Sequence, residues 1–325
     1  MPAVQYPLLA VFQAILKQGI NMRGFRYLLK RNILLFMRDY SAVFFSVMSM
    51  LIVLALMIIF LGSMNSQNVV EALAEFGGNR NTAEDEKNAS YLIQMWTFAG
   101  ILVVNAVTVT LTVMGTMVQD ESKNKLAGFY VAPIKRITIV LGYIISSWII
   151  GMGMCLLTFA VGEGYMMLRG YPLIPAMDCL ILMGMIALNV FVYASLAYLL
   201  ALFIQSESAW SGMLTIVGTL VGFVGAVYLP MSMLPESVGN AIKCLPILHG
   251  TAMMRKVLIK DAMAETFAGL PTMAGDIFKE QMGVSILQNG KEITMQYQIV
   301  FLAACGIMAI IAAILISKRK KVRDR

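Results

Sequence analysis

Along this chain charged positions are sparse, and they bracket long uncharged runs. Asp39 is followed by no charge until Glu71, Lys87 by none until Asp120, Arg136 by none until Glu163, and Asp178 by none until Glu207. The apolar parts of these runs are residues 41–61, 91–117, 137–161 and 179–204. Two more apolar runs lie at 209–229 and 293–317. Crossing a bilayer core takes about 20 apolar residues in a helix. Backbone polar groups in hydrocarbon must also find partners inside their own segment, so each run predicts a transmembrane helix. The short alternating strands of a membrane barrel are missing. The pattern therefore predicts an all-α polytopic membrane protein with six transmembrane helices, forming a single transmembrane domain over 1–325. Residues 1–21 form an N-terminal segment with no basic n-region or clear cleavage site, so they are expected to stay in the mature chain. Spans one to five occupy 41–229, a long outer loop 230–292, span six 293–317, and a basic tail 318–325.

Residues 22–40 follow a different period. At 100° per residue, Arg23, Arg26, Lys30, Arg31 and Arg38 fall within an arc of about 140°. Phe25, Leu28, Leu29, Ile33, Leu35 and Phe36 face the other way, while Asn32 and Leu34 interrupt the pattern. A basic face opposite an apolar one predicts an amphipathic helix lying in the membrane interface. Its basic residues Arg23, Arg26, Lys30 and Arg31 serve either as a plain anchor or as an elbow that also touches a cytoplasmic partner. The sequence leaves both open.

Composition agrees with the pattern. The chain is 59% hydrophobic and 13% charged, against about 25% charged in soluble domains. Its net charge of +7 comes from Lys and Arg beside the spans, which points to orientation and anionic lipid rather than nucleic acid. Basic residues concentrate before the first span, between the second and third (Lys123, Lys125, Lys135, Arg136), and after the last (Lys318 to Arg325). This bias predicts a cell-membrane protein with both termini cytoplasmic. The four cysteines Cys155, Cys179, Cys244 and Cys305 form no C-x-x-C pair, and His249 is the one histidine. That argues against a zinc site and favours the cysteines as small apolar fillers.

The chemistry that is missing narrows the function. The Gly290-Lys291 pair is followed by Glu292, with Ser285 where a P-loop needs its first Gly, so the chain holds no phosphate cradle of that type. No Asp, Glu, Lys, Arg or His lies within the predicted span cores, which disfavours proton coupling. Nucleophile–base and metalloprotease patterns are also missing. The chain is expected to be a non-enzymatic membrane component with no cofactor of its own. Three classes stay open: a permease driven by a partner ATPase, an ion-coupled carrier, and a non-transporting scaffold or sensor.

Two segments carry a family signal. Residues 119–136 begin with the acids Asp120 and Glu121, pass through basic Lys123 and Lys125 and a hydrophobic stretch, and end Pro133-Ile134-Lys135-Arg136. After the fifth span come Tyr228, Pro230, Pro235, Leu245-Pro246 and Arg255. In this order and topology the chain resembles the ABC type-2 exporter permeases. The first segment resembles their cytoplasmic coupling loop, with Lys123-Asn124-Lys125 where the family has Arg-Gly-Thr-like residues. The second resembles their outer re-entrant helical hairpin before the last span, with His249 at a position where a small polar residue is common. The bland reading of His249 is a hydrogen-bonded loop histidine. The resemblance implies a homo- or heterodimer of six-span subunits working with cytoplasmic ABC ATPase subunits, on which ATP and magnesium are bound. It also implies that Asp120, Glu121, Lys125, Pro133, Lys135 and Arg136 couple the permease to the ATPase, and that transport runs outward.

Smaller signals are ambiguous. Gly218 and Gly222 form a GxxxG pair on the fifth span, which suits either a dimer seam or packing within one subunit. Asn105, Thr108 and Thr112 share one face of the second span. They line a substrate path or hydrogen-bond to neighbouring helices, as does Asn189 on the fourth span. The 27 methionines suit a promiscuous apolar surface for a drug, peptide or lipid-like cargo, or simply fill the core.

Overall fold

The computed structural model describes residues 21–56, 66–67, 69–71, 73, 82–131, 134–288 and 290–319. These residues are mostly helical. Helix α1 (Met22–Arg38) starts at Asn21, whose side chain accepts from the Gly24 amide. It ends at Asp39, and α2 (Tyr40–Leu56) begins one residue later. Asp39 serves both helices: its amide donates to the carbonyls of Leu35 and Phe36, and its carboxylate accepts from the Ala42 amide at 2.9 Å. A single capping residue thus makes the elbow.

Helix α3 (Thr82–Ser122) is 41 residues long and lies at the centre. It packs against α5 (Arg136–Leu168), α6 (Ala176–Ala201) and α7 (Glu207–Val224). Its apolar residues face in all directions and nearly all are buried, as expected for a helix without a polar stripe. Expected at 91–117, the helix begins at Thr82, about two and a half turns earlier. Glu84 and Asp85 sit in its first turn, where carboxylates favour the positive end of the helix dipole, so 82–90 belong to the helix and not to an outer loop. The short α4 (Lys125–Val131) joins α3 to α5. Asn124 makes the intervening turn with φ of 56°, a left-handed conformation that Asn tolerates and that Gly would otherwise supply.

After α7 the chain forms a 3₁₀ turn (Met231–Met233), then α8 (Glu236–Ile242), α9 (Pro246–Leu258), α10 (Lys260–Thr266) and α11 (Thr272–Gln281). Pro235 and Pro246 sit where α8 and α9 begin, positions that cost no hydrogen bond. A two-stranded hairpin, β1 (Leu287–Gln288) and β2 (Lys291–Glu292), turns at Gly290. The Gly290-Lys291 pair is therefore a β-turn. The last helix, α12 (Met295–Arg319), packs against α6, α9 and α5.

Five described helices are long and apolar enough to cross a membrane: α3, α5, α6, α7 and α12. The predicted first span begins with α2, and its remainder falls outside the described residues, as do 1–20, Pro133 and the basic tail beyond Arg319. The long helices differ in environment. The apolar core of α3 is largely buried, whereas α7 exposes Ile216, Leu220 and Phe223.

Candidate functional site

Where α3 ends, four elements meet on one arginine. Arg31 of α1 donates to Asp120 Oδ1 at 2.6 Å, and Tyr143 of α5 donates to Asp120 Oδ2 at 2.6 Å. Arg31 also lies over the Phe129 ring of α4, 5.4 Å from its centre. Beside it, Asn32 donates to Ser146 at 3.1 Å. Leu28, one turn earlier, fills a groove that exists because Gly142 has no side chain. The interface helix therefore turns Arg31, Asn32 and Leu28 toward α5, which corrects the simple division into basic and apolar faces. Asn32 interrupted the pattern because it is buried and hydrogen-bonded.

Residues of the expected coupling segment separate into two groups. Asp120 is 2% exposed, its carboxylate taken up by Arg31 and Tyr143. Arg136 donates to the Ser317 carbonyl near the end of α12, joining the start of one span to the end of another. Lys125 and Lys135, at either end of the α4 segment, are exposed. Glu121 is half-buried, and Pro133 lies outside the described residues. Nearby, Glu207 at the start of α7 accepts from Ser122 and pairs with Lys123 at 3.7 Å.

A second arginine packs against the N-terminal half of α3. Arg255 of α9 is fully buried. It donates to the carbonyls of Ala226 (2.6 Å), Met282 (3.1 Å) and Gly283 (3.4 Å), and stacks 4.0 Å from the centre of the Trp96 ring. Trp96 itself donates to Met282 O at 2.8 Å. Carbonyl dipoles and a ring face stand in for a carboxylate. Ala226 is held at φ of 50°, an unfavourable conformation for a residue with a Cβ, and its carbonyl is the closest acceptor of Arg255. His249, one and a half turns before Arg255, bonds through Nε2 to Lys243 O at 2.8 Å and packs on Phe301. It closes the turn between α8 and α9 from a helix rather than from a loop.

Between α2, α3 and α7 lies a cavity of about 410 Å³. Asn105, Thr108 and Thr112 all line it, with Phe45, Gly218 and Tyr228. Among the described residues that line it, none is charged. Asn105 also donates to Thr158 at 2.5 Å, and the two threonine hydroxyls donate to carbonyls one turn back on α3. Asn105 thus bonds to a neighbouring helix, while Thr108 and Thr112 bond within α3, and all three border the cavity. The glycine pair separates: Gly218 borders the cavity and has open space beside it, whereas Gly222 is covered by Tyr228 of the same chain. Asn189 joins Tyr193 at 2.9 Å against Gly250 of α9, a helix–helix contact. All four cysteines are free. Among the described residues no His, Cys, Asp and Glu side chains gather as a metal site.

The family model described as ABC-2 family transporter protein matches residues 73–317. The chain belongs to the ABC-2 transporter family. No curated protein matches it. The ABC-2 match runs from before α3 through nearly all of α12 and leaves α1 and α2 outside. It identifies the chain as a multi-pass membrane component of an ABC transporter. Both arginine clusters escape sequence reading in part. The segments that surround each arginine are far apart in the chain, and only two signals hinted at them: Asn32 on the wrong face of an amphipathic helix, and Arg255 in the segment that resembles the family's outer hairpin.

Proposed function

We propose that this ABC-2 chain is the permease subunit of an ATP-driven exporter and that α4 is its docking element for a separate cytoplasmic ATPase. The observation that carries this is the arrangement around α4. It is a short helix between two long spans, flanked by exposed Lys125 and Lys135 and tied through Phe129 and Arg31 to α1, α3 and α5. A push on such an element reaches α1 and the membrane-crossing helices α3 and α5 through these side-chain contacts. On this reading six spans cross the membrane, both termini are cytoplasmic, and α8–α9 form an outer re-entrant hairpin. Two such subunits assemble with two ATPases, which bind ATP and magnesium. Asn105, Thr108 and Thr112 line the cargo path. The uncharged cavity around them favours a neutral, amphiphilic cargo over an ion.

The test is co-purification with the ATPase encoded beside this chain, followed by ATP hydrolysis in lipid nanodiscs. The wild-type chain is expected to hold the ATPase. A Lys125→Glu, Lys135→Glu variant, whose changes are at exposed positions, is expected to release it or lose permease-dependent hydrolysis. If no ATPase binds the folded wild type and transport follows an ion gradient instead, the chain is a secondary carrier.

A further inference from the structure

A second cavity, of about 500 Å³, lies elsewhere in the bundle and is unlike the first. Leu111 of α3, Ala197 of α6, Val217 of α7, Pro246 of α9, and Met308 and Ala309 of α12 are among its walls. Its polar side chains are two. Tyr193 already donates its hydroxyl to Asn189 at 2.9 Å, and Cys305 is a thiol, a weak hydrogen-bonding group. A buried water needs two to four polar partners, so this cavity does not hold ordered water. Left empty, its lining would forfeit dispersion contacts over its whole surface.

The mouth of the cavity shows what can enter. Its exposed residues are Leu200 (42%), Leu245 (41%) and Met308 (59%). Leu200 and Met308 sit on α6 and α12, two of the membrane-crossing helices, so the material outside is hydrocarbon. Leu245 belongs to the turn between α8 and α9, which independently fits an apolar neighbour. The amides of Lys243, Cys244 and Leu245 donate to Gly239, Ala241 and Ile242 carbonyls. His249 occupies the Lys243 carbonyl, and Pro246 has no N–H. Non-helical backbone survives at membrane depth only when its polar groups are satisfied, and this turn satisfies these from within.

We propose that this cavity is a binding site for one acyl chain of a bilayer phospholipid, seated against the α8–α9 turn. The lipid tail fills the space between α6, α7 and α12 and sets the position of the turn. The site is separate from the polar cavity at Asn105. It depends neither on the direction of transport nor on the ATPase.

The test uses the full chain in phosphatidylcholine nanodiscs containing a minor fraction of phosphatidylcholine with a diazirine in its acyl chain. After irradiation, adducts are mapped by mass spectrometry. Adducts are expected to concentrate at Leu245 and Met308, several-fold above those at Leu180 and Leu220, which are equally exposed apolar residues elsewhere. Ala309→Phe, which fills the cavity, is expected to remove this excess and leave the Leu180 adducts unchanged. Ala312→Phe, nearer the surface, gives the same comparison if Ala309→Phe does not fold. Uniform labelling of all four positions, an excess that survives both variants, or cross-links from Met308 to a second copy of the chain would overturn the proposal.

Discussion

Helix α3 is held by an arginine near its C-terminal end and by another in its N-terminal half, but in different ways. Arg31 neutralises a carboxylate, Asp120, and remains 28% exposed. Arg255 is wholly buried and meets only carbonyls and the Trp96 ring. The first arrangement joins α1, α3, α4 and α5 through one charge that water can reach, so it can open without stranding a cation in an apolar interior. The second cannot open without leaving Arg255 desolvated and unpaired, at a cost of several kcal/mol. The first contact is thus built as a joint and the second as a pin. A permease pushed from one side needs both.

The largest effect is expected at the pin. Arg255→Met leaves the carbonyls of Ala226 and Gly283 without this donor, each worth about 1–3 kcal/mol when buried, and leaves Met282 O with Trp96 alone. We expect a loss of about 3 kcal/mol or more, read as a large fall in Tm in detergent micelles. Arg255→Lys should not restore it, because an ammonium cannot reproduce the planar fork or its stacking. A mild effect of Arg255→Met would remove the contrast between the two arginines.

At the joint, Asp120→Asn is expected to cost about 2 kcal/mol, less than the pin because Arg31 is partly hydrated. Arg31→Met and Asp120→Asn together should cost less than the sum of the two. A double-mutant cycle on Tm should return a coupling of about 1–3 kcal/mol. Strict additivity would mean that the ion pair holds nothing.

A smaller change tests how α1 is seated. Gly142→Ala puts a methyl group into the space of Leu28. Overpacking of this kind is expected to cost about 1 kcal/mol and to raise proteolysis at the elbow around Asp39, while Arg255 stays protected from exchange.

The smallest effect lies beyond the pin, between α11 and α12. Burial alone would raise the Glu292 carboxyl, but hydrogen bonds from Lys256 at 2.5 Å and Ser285 at 2.9 Å hold it below the usual range. A depressed carboxylate contributes stability that is present above its unfolded pKa and is lost as pH falls through the folded one. Tm should therefore fall slightly on acidification below the ordinary Glu range, and the Lys256→Gln variant should show a smaller acid-dependent loss. The pair is half exposed, so the effect is small.

Much of this architecture was legible in the sequence. Charges bracketed the long helices, and the prolines marked the starts of α8 and α9. The N-terminal extent of α3 was missed because Glu84, Asp85 and Glu86 read as a loop, although acidic residues are also what a helix start favours. Asn105, Thr108 and Thr112, which border the first cavity, were grouped by their spacing on one helix face. The two clusters were not, since Arg31 meets Asp120 and Arg255 meets Trp96 only after distant segments pack, and local periodicity is blind to that. Asp120 was placed in the coupling segment by resemblance to the family's loop, which carries no information about its burial. Here Tyr143 and Arg31 bury it.

The docking role of α4 is tested most directly by a cross-link. In a cysteine-free background, Lys125→Cys and, as a control at the far end, Met273→Cys are each treated with a short bifunctional maleimide in membranes containing the neighbouring ATPase. The account predicts a cross-link to the ATPase from position 125 and none from position 273. A cross-link from 273 with none from 125 would reverse the orientation and contradict the assignment of α4.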